Sequence, residues 1–228
     1  MNTLENKLAG KSASPETLAA NIIKQPESLH EALEGLGADK ARVKYGCLKV
    51  LRIVSEKKPA VLYPEFDRLV SLLDSENNIF KWGAIQCIGN LAAVDSEGKI
   101  DRILDKYLQP ISGHIMITAA NVIGGAGKIA RAKPLLAGRI ARALLRVEKS
   151  NYQTEECRNV ALGHAVASFD LFFEHLDKPQ TVIEFVQRQL RNRRNAVRVK
   201  AAKFLKKHAS PRIFSFRSSR REPAQTLH

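Results

Sequence analysis

The sequence predicts an all-α protein in which about five helical hairpins stack into a short solenoid. Three observations lead there. The stretch 79–91 places Phe80, Ala84, Cys87, Ile88 and Leu91 at helical spacing, which makes one apolar stripe. Related text returns at 43–51, 115–124, 157–165 and 197–205. Aligning Val43, Phe80, Ile115, Cys157 and Val197 gives spacings of 37, 35, 42 and 40 residues. No strand pattern interrupts the series, and a period in this range without strands is the signature of stacked helical pairs. Gly83, Ala84 and Gly89 are small where a neighbouring helix must come close.

Taken in order, residues 1–14 read as a flexible leader. Ser14-Pro15-Glu16-Thr17 reads as a helix start, with Ser at the cap, Pro at the first helical position and an acid in the first turn. Pro26 opens a second helix with Leu29, Leu33 and Leu36, ended by Gly35 and Gly37. Ala38 or Asp39 begins the helix of Val43, Cys47, Val50, Leu51 and Val54. Lys57 and Lys58 suit its negative C-terminal end, and Pro59 closes it. The next outer helix starts near Ala60 with Pro64 inside its first turn. It is followed by the polar turn 74–78 and the Phe80 helix, which stops around 95–98. Ile100, Ile103, Leu104, Tyr107 and Leu108 form the third outer helix, Pro110 and Gly113 its turn, and 116–130 its partner. Pro134 opens a helix in which apolar residues alternate with Arg139, Arg142 and Arg146. A polar link at 149–155 leads to the Cys157 helix. Thr181–Arg191 and Ala196–Lys207 make the last pair, and Ser210-Pro211 opens a basic tail, 210–228, expected to be disordered.

Composition narrows the class. At 228 residues, 44% hydrophobic and 26% charged, the chain has the make-up of an ordinary soluble protein able to bury a sizeable core. No apolar run approaches the roughly 20 residues that cross a bilayer, and the N-terminus lacks a signal-peptide core, so a cytoplasmic location and no membrane partner are expected. Cys47, Cys87 and Cys157 are an odd, scattered set, which argues for core filling over a disulfide framework. No Cys or His pair has metal-ligand spacing. The net charge of +14 is uneven: residues 178–228 hold a net +12, leaving +2 for residues 1–177. Basic character therefore belongs to the C-terminal end, and supports only a local claim about nucleic acid.

The repeated phrase V-R/K-x-x-A-x-x-x-L, closed by Pro between units, resembles the second helix of HEAT repeats. Val197-Arg-Val-Lys-Ala-Ala-Lys-Phe-Leu205 is the nearest match and the stretch 80–89 is close behind, within a span of roughly 26–208. The resemblance implies a right-handed α-α superhelix, placed at 15–209, and a binding scaffold rather than any one activity. The chain departs from that pattern in lacking a consistent Asp before the basic residue and in carrying Met116 where other units have Lys44, Lys81, Arg158 and Arg198.

Several residues stand out as candidates. Lys44, Lys81, Arg158 and Arg198 share one repeat position. They read either as a basic stripe for an acidic or phosphate-bearing partner, or as bridges to adjacent repeats and turn carbonyls. Trp82 and its counterpart Tyr45 read either as lining of a concave surface or as packing against a neighbour. Asn121 and His164 lie on equivalent helices and are expected to face one groove. Gly124-Gly125-Ala126-Gly127-Lys128 mimics a phosphate loop. That motif needs Gly at 122 and Ser or Thr at 129, where Val and Ile stand, so close helix packing is the better account. No nucleophile–base–orienter set is visible and no cofactor is expected. The concave-face candidates are thus Lys44, Lys81, Trp82, Asn121, Arg158, His164 and Arg198, for a protein partner. A second reading is nucleic-acid binding through Arg191, Arg193, Arg194, Arg198, Lys200, Lys203, Lys206 and Lys207. A weaker third is an alkyl-base DNA glycosylase-like enzyme, which relies on paired tryptophans and a catalytic Asp; this chain has one Trp and no acid flanking it.

Overall fold

The computed structural model describes residues 3–10 and 13–208; the expected tail lies outside them. Among these residues there are helices and no strands. The helices are α1 (Thr3–Ala9), α2 (Pro15–Lys24), α3 (Leu29–Glu34), α4 (Ala41–Lys57), α5 (Pro59–Leu62), α6 (Phe66–Ser71), α7 (Asn78–Leu91), α8 (Lys99–Leu108), α9 (Met116–Ala132), α10 (Ala137–Leu145), α11 (Glu155–Phe172), α12 (Gln180–Gln189) and α13 (Asn195–His208). The second helices α4, α7, α9, α11 and α13 pack each on the next as one layer. The first helices α3, α5–α6, α8, α10 and α12 form the other layer, and the core runs unbroken between the two. The fold is an all-α solenoid.

Local chemistry explains the ends. The Ser14 hydroxyl accepts a hydrogen bond from the Thr17 N–H, as the helix-start pattern requires, and Asn77 and Thr154 cap α7 and α11 the same way. Two expectations are corrected. The stretch 3–10 is not a frayed leader: Leu4 and Leu8 are buried, the Leu4 N–H reaches Glu31, and Arg42 holds the Leu8 carbonyl, so α1 covers the open end of the stack beside α2. The outer helix near Ala60 is not continuous. Pro64 has no N–H to donate and its ring crowds the preceding turn, so a 3-10 turn at Tyr63–Glu65 separates α5 from α6.

Glycine decides how closely the second helices approach. A Cβ on Gly89 would lie 2.8 Å from the Gly125 Cα, so α7 and α9 touch backbone to backbone there. A Cβ on Gly125 would overlap the Tyr107 hydroxyl, which is buried and donates to the Ile85 carbonyl at 2.8 Å. A Cβ on Gly127 would lie 2.9 Å from Ser168, whose hydroxyl donates to the Ile123 carbonyl. Gly124, in the same run, has open space beside it. The run is a packing device inside α9, not a phosphate loop.

A buried carboxylate ties the α5–α7 hairpin to the next one. Asp95 Oδ1 accepts from the Tyr63 hydroxyl at 2.7 Å and from the Lys99 N–H at 2.9 Å. Its Oδ2 accepts from the Ile100 N–H at 3.1 Å and pairs with Lys133 at 2.9 Å. Burial pushes its pKa up, but Tyr63, Lys133 and the two backbone donors outweigh that and hold it below the usual carboxylate value. Gly98, the one glycine with positive φ among the described residues, turns the chain so that those N–H groups face Asp95.

The glycine geometry makes opposite demands at adjacent positions. Gly125→Ala is expected to destabilise the fold by about 1–3 kcal/mol through overpacking. Gly124→Ala is expected to stabilise it by roughly 0.5–1 kcal/mol through helix propensity. Urea unfolding of the two variants checks both signs.

Candidate functional site

The second-helix layer carries a groove across α4, α7 and α9. It consists of two hollows of about 380 and 230 Å³ that share Arg52, Gln86 and Asn121. The smaller is walled by Tyr45, Ile79 and Trp82, the larger by Glu56, Asn90, Gly124, Lys128 and His164. Side chains one repeat apart join across it. Arg52 Nη1 donates to Gln86 Oε1 at 3.1 Å, Gln86 Nε2 donates to Asn121 Oδ1 at 2.5 Å, and Asn121 Nδ2 donates to the Ile117 carbonyl at 2.9 Å. In a parallel row Lys128 Nζ donates to Asn90 Oδ1 at 2.7 Å and Asn90 Nδ2 to the Ser55 hydroxyl at 2.9 Å. These amides are fixed by one another, so the groove wall is preorganised before any ligand arrives.

The cations here are not alike. Arg52 and Lys128 bond to neutral amide oxygens, whereas Lys49, on the wall of the smaller hollow, pairs with Glu16 at 2.8 Å; outside the hollows Lys200 bonds to the Gly163 carbonyl at 3.4 Å. The carboxylates of the chain are largely committed between units on other surfaces. Asp74 pairs with Lys106, Asp101 with Lys133, Asp105 with Arg139, Glu148 with Arg188, Glu155 with Arg193, Glu156 with Arg194, and Asp170 with Lys207 and His208. Such exposed pairs are each worth about 0–1 kcal/mol, but together they remove negative charge from reach of the groove. Glu56 is the acid that lines it.

The candidate residues divide. Trp82 and Asn121 lie in the groove and His164 at its mouth. Trp82 is half-buried, with Nε1 donating to the Thr118 hydroxyl at 2.9 Å. It both packs on the neighbouring repeat and presents a face to the groove, so the two readings of it coexist. Tyr45 behaves alike, its ring 5.9 Å from Phe80 and its hydroxyl accepting from Asn77 Nδ2. The recurring basic position does not line the groove. Arg198 Nη1 donates to the Asn192 and Arg193 carbonyls and its Nη2 to Asn195, which is the turn-bridging role. Lys81 lies in a separate hollow of about 460 Å³ with Lys106 and His114; Lys44 and Arg158 are half-buried near their helix starts. The physical reason is helix rotation: the recurring basic position in the first turn of a second helix faces the turn, whereas Arg52, Gln86, Asn90, Asn121 and Lys128, five to twelve positions later, face the open layer.

The last helix is partly neutralised. Arg193, Arg194 and Lys207 pair with α11 carboxylates, while Arg191 and Lys203 are exposed. Sequence reasoning missed Arg52, Gln86, Asn90 and Lys128. The available signal was that Gln86 and Asn121 share one register, 35 residues apart. Among the described residues no group of three or more His, Cys, Asp or Glu is placed to hold a metal, and Asp95, a carboxylate with a fully buried side chain, follows the end of α7 whereas Trp82 lies near its start. Cys47 and Cys87 are free and buried, their thiols pushed by burial up to about 12 and about 11. They fill the core as neutral groups.

Partial desolvation against the groove wall, though the residue's surface is exposed, and the nearby Lys200 charge hold the His164 pKa below its ordinary value of 6.5. Lys200→Gln is expected to move the His164 midpoint upward but not fully to 6.5, because the partial desolvation remains. An NMR titration of the imidazole protons checks this, and a downward move contradicts it.

Among solved structures the chain is similar to a designed armadillo repeat protein, at 16% identity with a TM-score of 0.57 over 90% of each chain. It is also similar to an engineered protein solved by crystallography, at 14% identity with a TM-score of 0.55 over 89% of this chain and 87% of that one. No protein-family model and no curated protein matches the chain. No described helix is long and apolar enough to cross a membrane. At these identities the likeness shows the fold, a helical-repeat solenoid.

Proposed function

We propose that the protein is a non-enzymatic scaffold of the cytoplasm that holds an extended acidic segment of a protein partner in the second-helix groove. The observation that carries this reading is the pairing pattern of the groove cations. Of the cations that line the groove, Arg52 and Lys128 have neutral acceptors and Lys49 pairs with Glu16, while carboxylates elsewhere are engaged in pairs between units. A carboxylate arriving in the groove replaces amide and carbonyl oxygens as acceptor, and charge-assisted bonds are roughly twice as strong as neutral ones. Beside the cations, Tyr45, Ile79 and Trp82 offer an apolar wall for side chains that alternate with the acids. A repeat stack presents both rails over several units, which suits a chain more than a small molecule.

Nucleic acid is the second reading, favoured by the exposed Arg191 and Lys203 and by the basic C-terminal sequence. It draws less support because Arg193, Arg194 and Lys207 are already paired with acids. Nothing in the groove supports the glycosylase-like reading, since Glu56 is its acid and Trp82 its single tryptophan.

The test uses the fluorescence of Trp82, the chain's one tryptophan, during titration with unstructured peptides rich in Asp/Glu and apolar residues, with Lys-rich peptides of matched length, and with single-stranded DNA. Acidic peptides are expected to bind, more weakly as salt rises. The double variant Arg52→Glu/Lys128→Glu is expected to weaken them by about ten-fold or more. Equal binding of acidic and basic peptides, or indifference to the double variant, overturns the reading. DNA binding with the same indifference moves the function to the C-terminal segment.

A further inference from the structure

On the opposite layer, α8, the turn at Gln109–Ser112 and α10 enclose a shallow depression of about 640 Å³. Its walls carry Arg139 and Arg142 of α10 and Arg146, which opens the 3-10 turn just past it; the spacing of three and four residues follows the helical turn and puts them on one side. We infer that this depression binds a phosphate dianion, either free or carried as a monoester. The inference rests on this surface alone and stands apart from the groove reading.

Three features support it. The first is charge. Asp105 is the acid among the lining residues, and its pairing with Arg139 at 2.7 Å leaves Arg142 and Arg146 unanswered. Neither guanidinium makes a hydrogen bond or ion pair within the described residues. The uncompensated charge thus matches a phosphate monoester, which carries about −1.5 to −2 at pH 7. The second is geometry. Each guanidinium is a planar fork of donors that grips two oxygens of one phosphate, a fit that lysine ammonium groups lack. The forks project from a helix whose other face (Ile140, Ala141, Leu144) is buried, so the scaffold beneath them is rigid. The third is the surround. Leu108 and Ala143 make a buried apolar floor, while Gln109 and Ser112 add polar side chains at the rim. The depression is shallow, and it fits a phosphate presented on a larger molecule as well as a free one.

The test follows the arginine Nε–H signals of the full chain by NMR as phosphate compounds are added at constant ionic strength. The two probes are inorganic phosphate and a capped Gly-phosphoserine-Gly peptide. Saturable shifts of Arg142 and Arg146 are expected at pH 7.5, weakening by about ten-fold at pH 5, where the phosphate has become a monoanion. Arg142→Gln and Arg146→Gln, both exposed positions, are each expected to weaken binding about ten-fold. Arg131→Gln, at the end of α9 and outside the depression, should leave it unchanged. Asp105→Asn removes the competing acid and is expected to tighten binding several-fold. Tighter binding of the peptide than of inorganic phosphate identifies a phosphorylated side chain as the source, and equal binding identifies the free ion. The inference is overturned if the shifts do not saturate, if Arg131→Gln weakens binding as much as the other two, or if Asp105→Asn weakens it.

Discussion

The contact of Gly89 on Gly125 sets the geometry on which the remaining layer depends. Two helices whose backbones touch allow no side chain between them at that point, so the neighbouring side chains above and below meet at fixed separations. Tyr107 enters from the other layer and locks the contact by donating to the Ile85 carbonyl. With α7 and α9 held in this way, Gln86 reaches Asn121 and Lys128 reaches Asn90. Close packing thus does two jobs: it buries the apolar stripe that stabilises the stack, and it brings polar side chains of successive repeats within hydrogen-bonding distance.

Charge is sorted by layer. The first helices and the turns bear most of the carboxylates, and these join one unit to the next through Lys106, Lys133, Arg139 and Arg188. The middle second helices α7 and α9 contain no acid at all, so the groove between them is left with amides and cations. The inter-unit ion pairs thus fall mostly on the first helices and turns, with those of α11 the exception in the second-helix layer. His164 registers the Lys200 charge directly, since that charge helps to hold its pKa down. The depression on α10 is a local exception in the outer layer, where arginine outnumbers the acid available to it.

The architecture was legible because the repeat writes the same stripe several times. Period, helix pairing, the Ser14 start and the role of the small residues all follow from spacing and residue type. The break at Pro64 and the packing of α1 were less legible. A proline near a helix start is compatible with both a first turn and a break, and two leucines four residues apart acquire meaning only when a surface waits to receive them. The candidate site was half legible. Trp82, Asn121 and His164 stood out by type, yet the basic position chosen by recurrence faces the turns. Arg52, Gln86 and Lys128 were missed because which face of a second helix looks outward depends on its rotation in the stack. A few residues of drift in the repeat length are enough to hide that rotation from alignment. Nothing in the sequence around Asp95 signals its burial, since its partners Tyr63 and Lys133 lie more than thirty residues away on either side.

The central claim is that the second-helix groove, and not the last helix, is the recognition surface. The most direct measurement is a map of backbone and side-chain amide shifts in the full chain during titration with a random Asp/Glu-rich copolymer at moderate salt. The account predicts the largest changes at Gln86, Asn90, Asn121, Gly124 and His164, in a contiguous path across α4, α7 and α9. Changes confined to α13 and the residues after it, with the groove amides still, would contradict it.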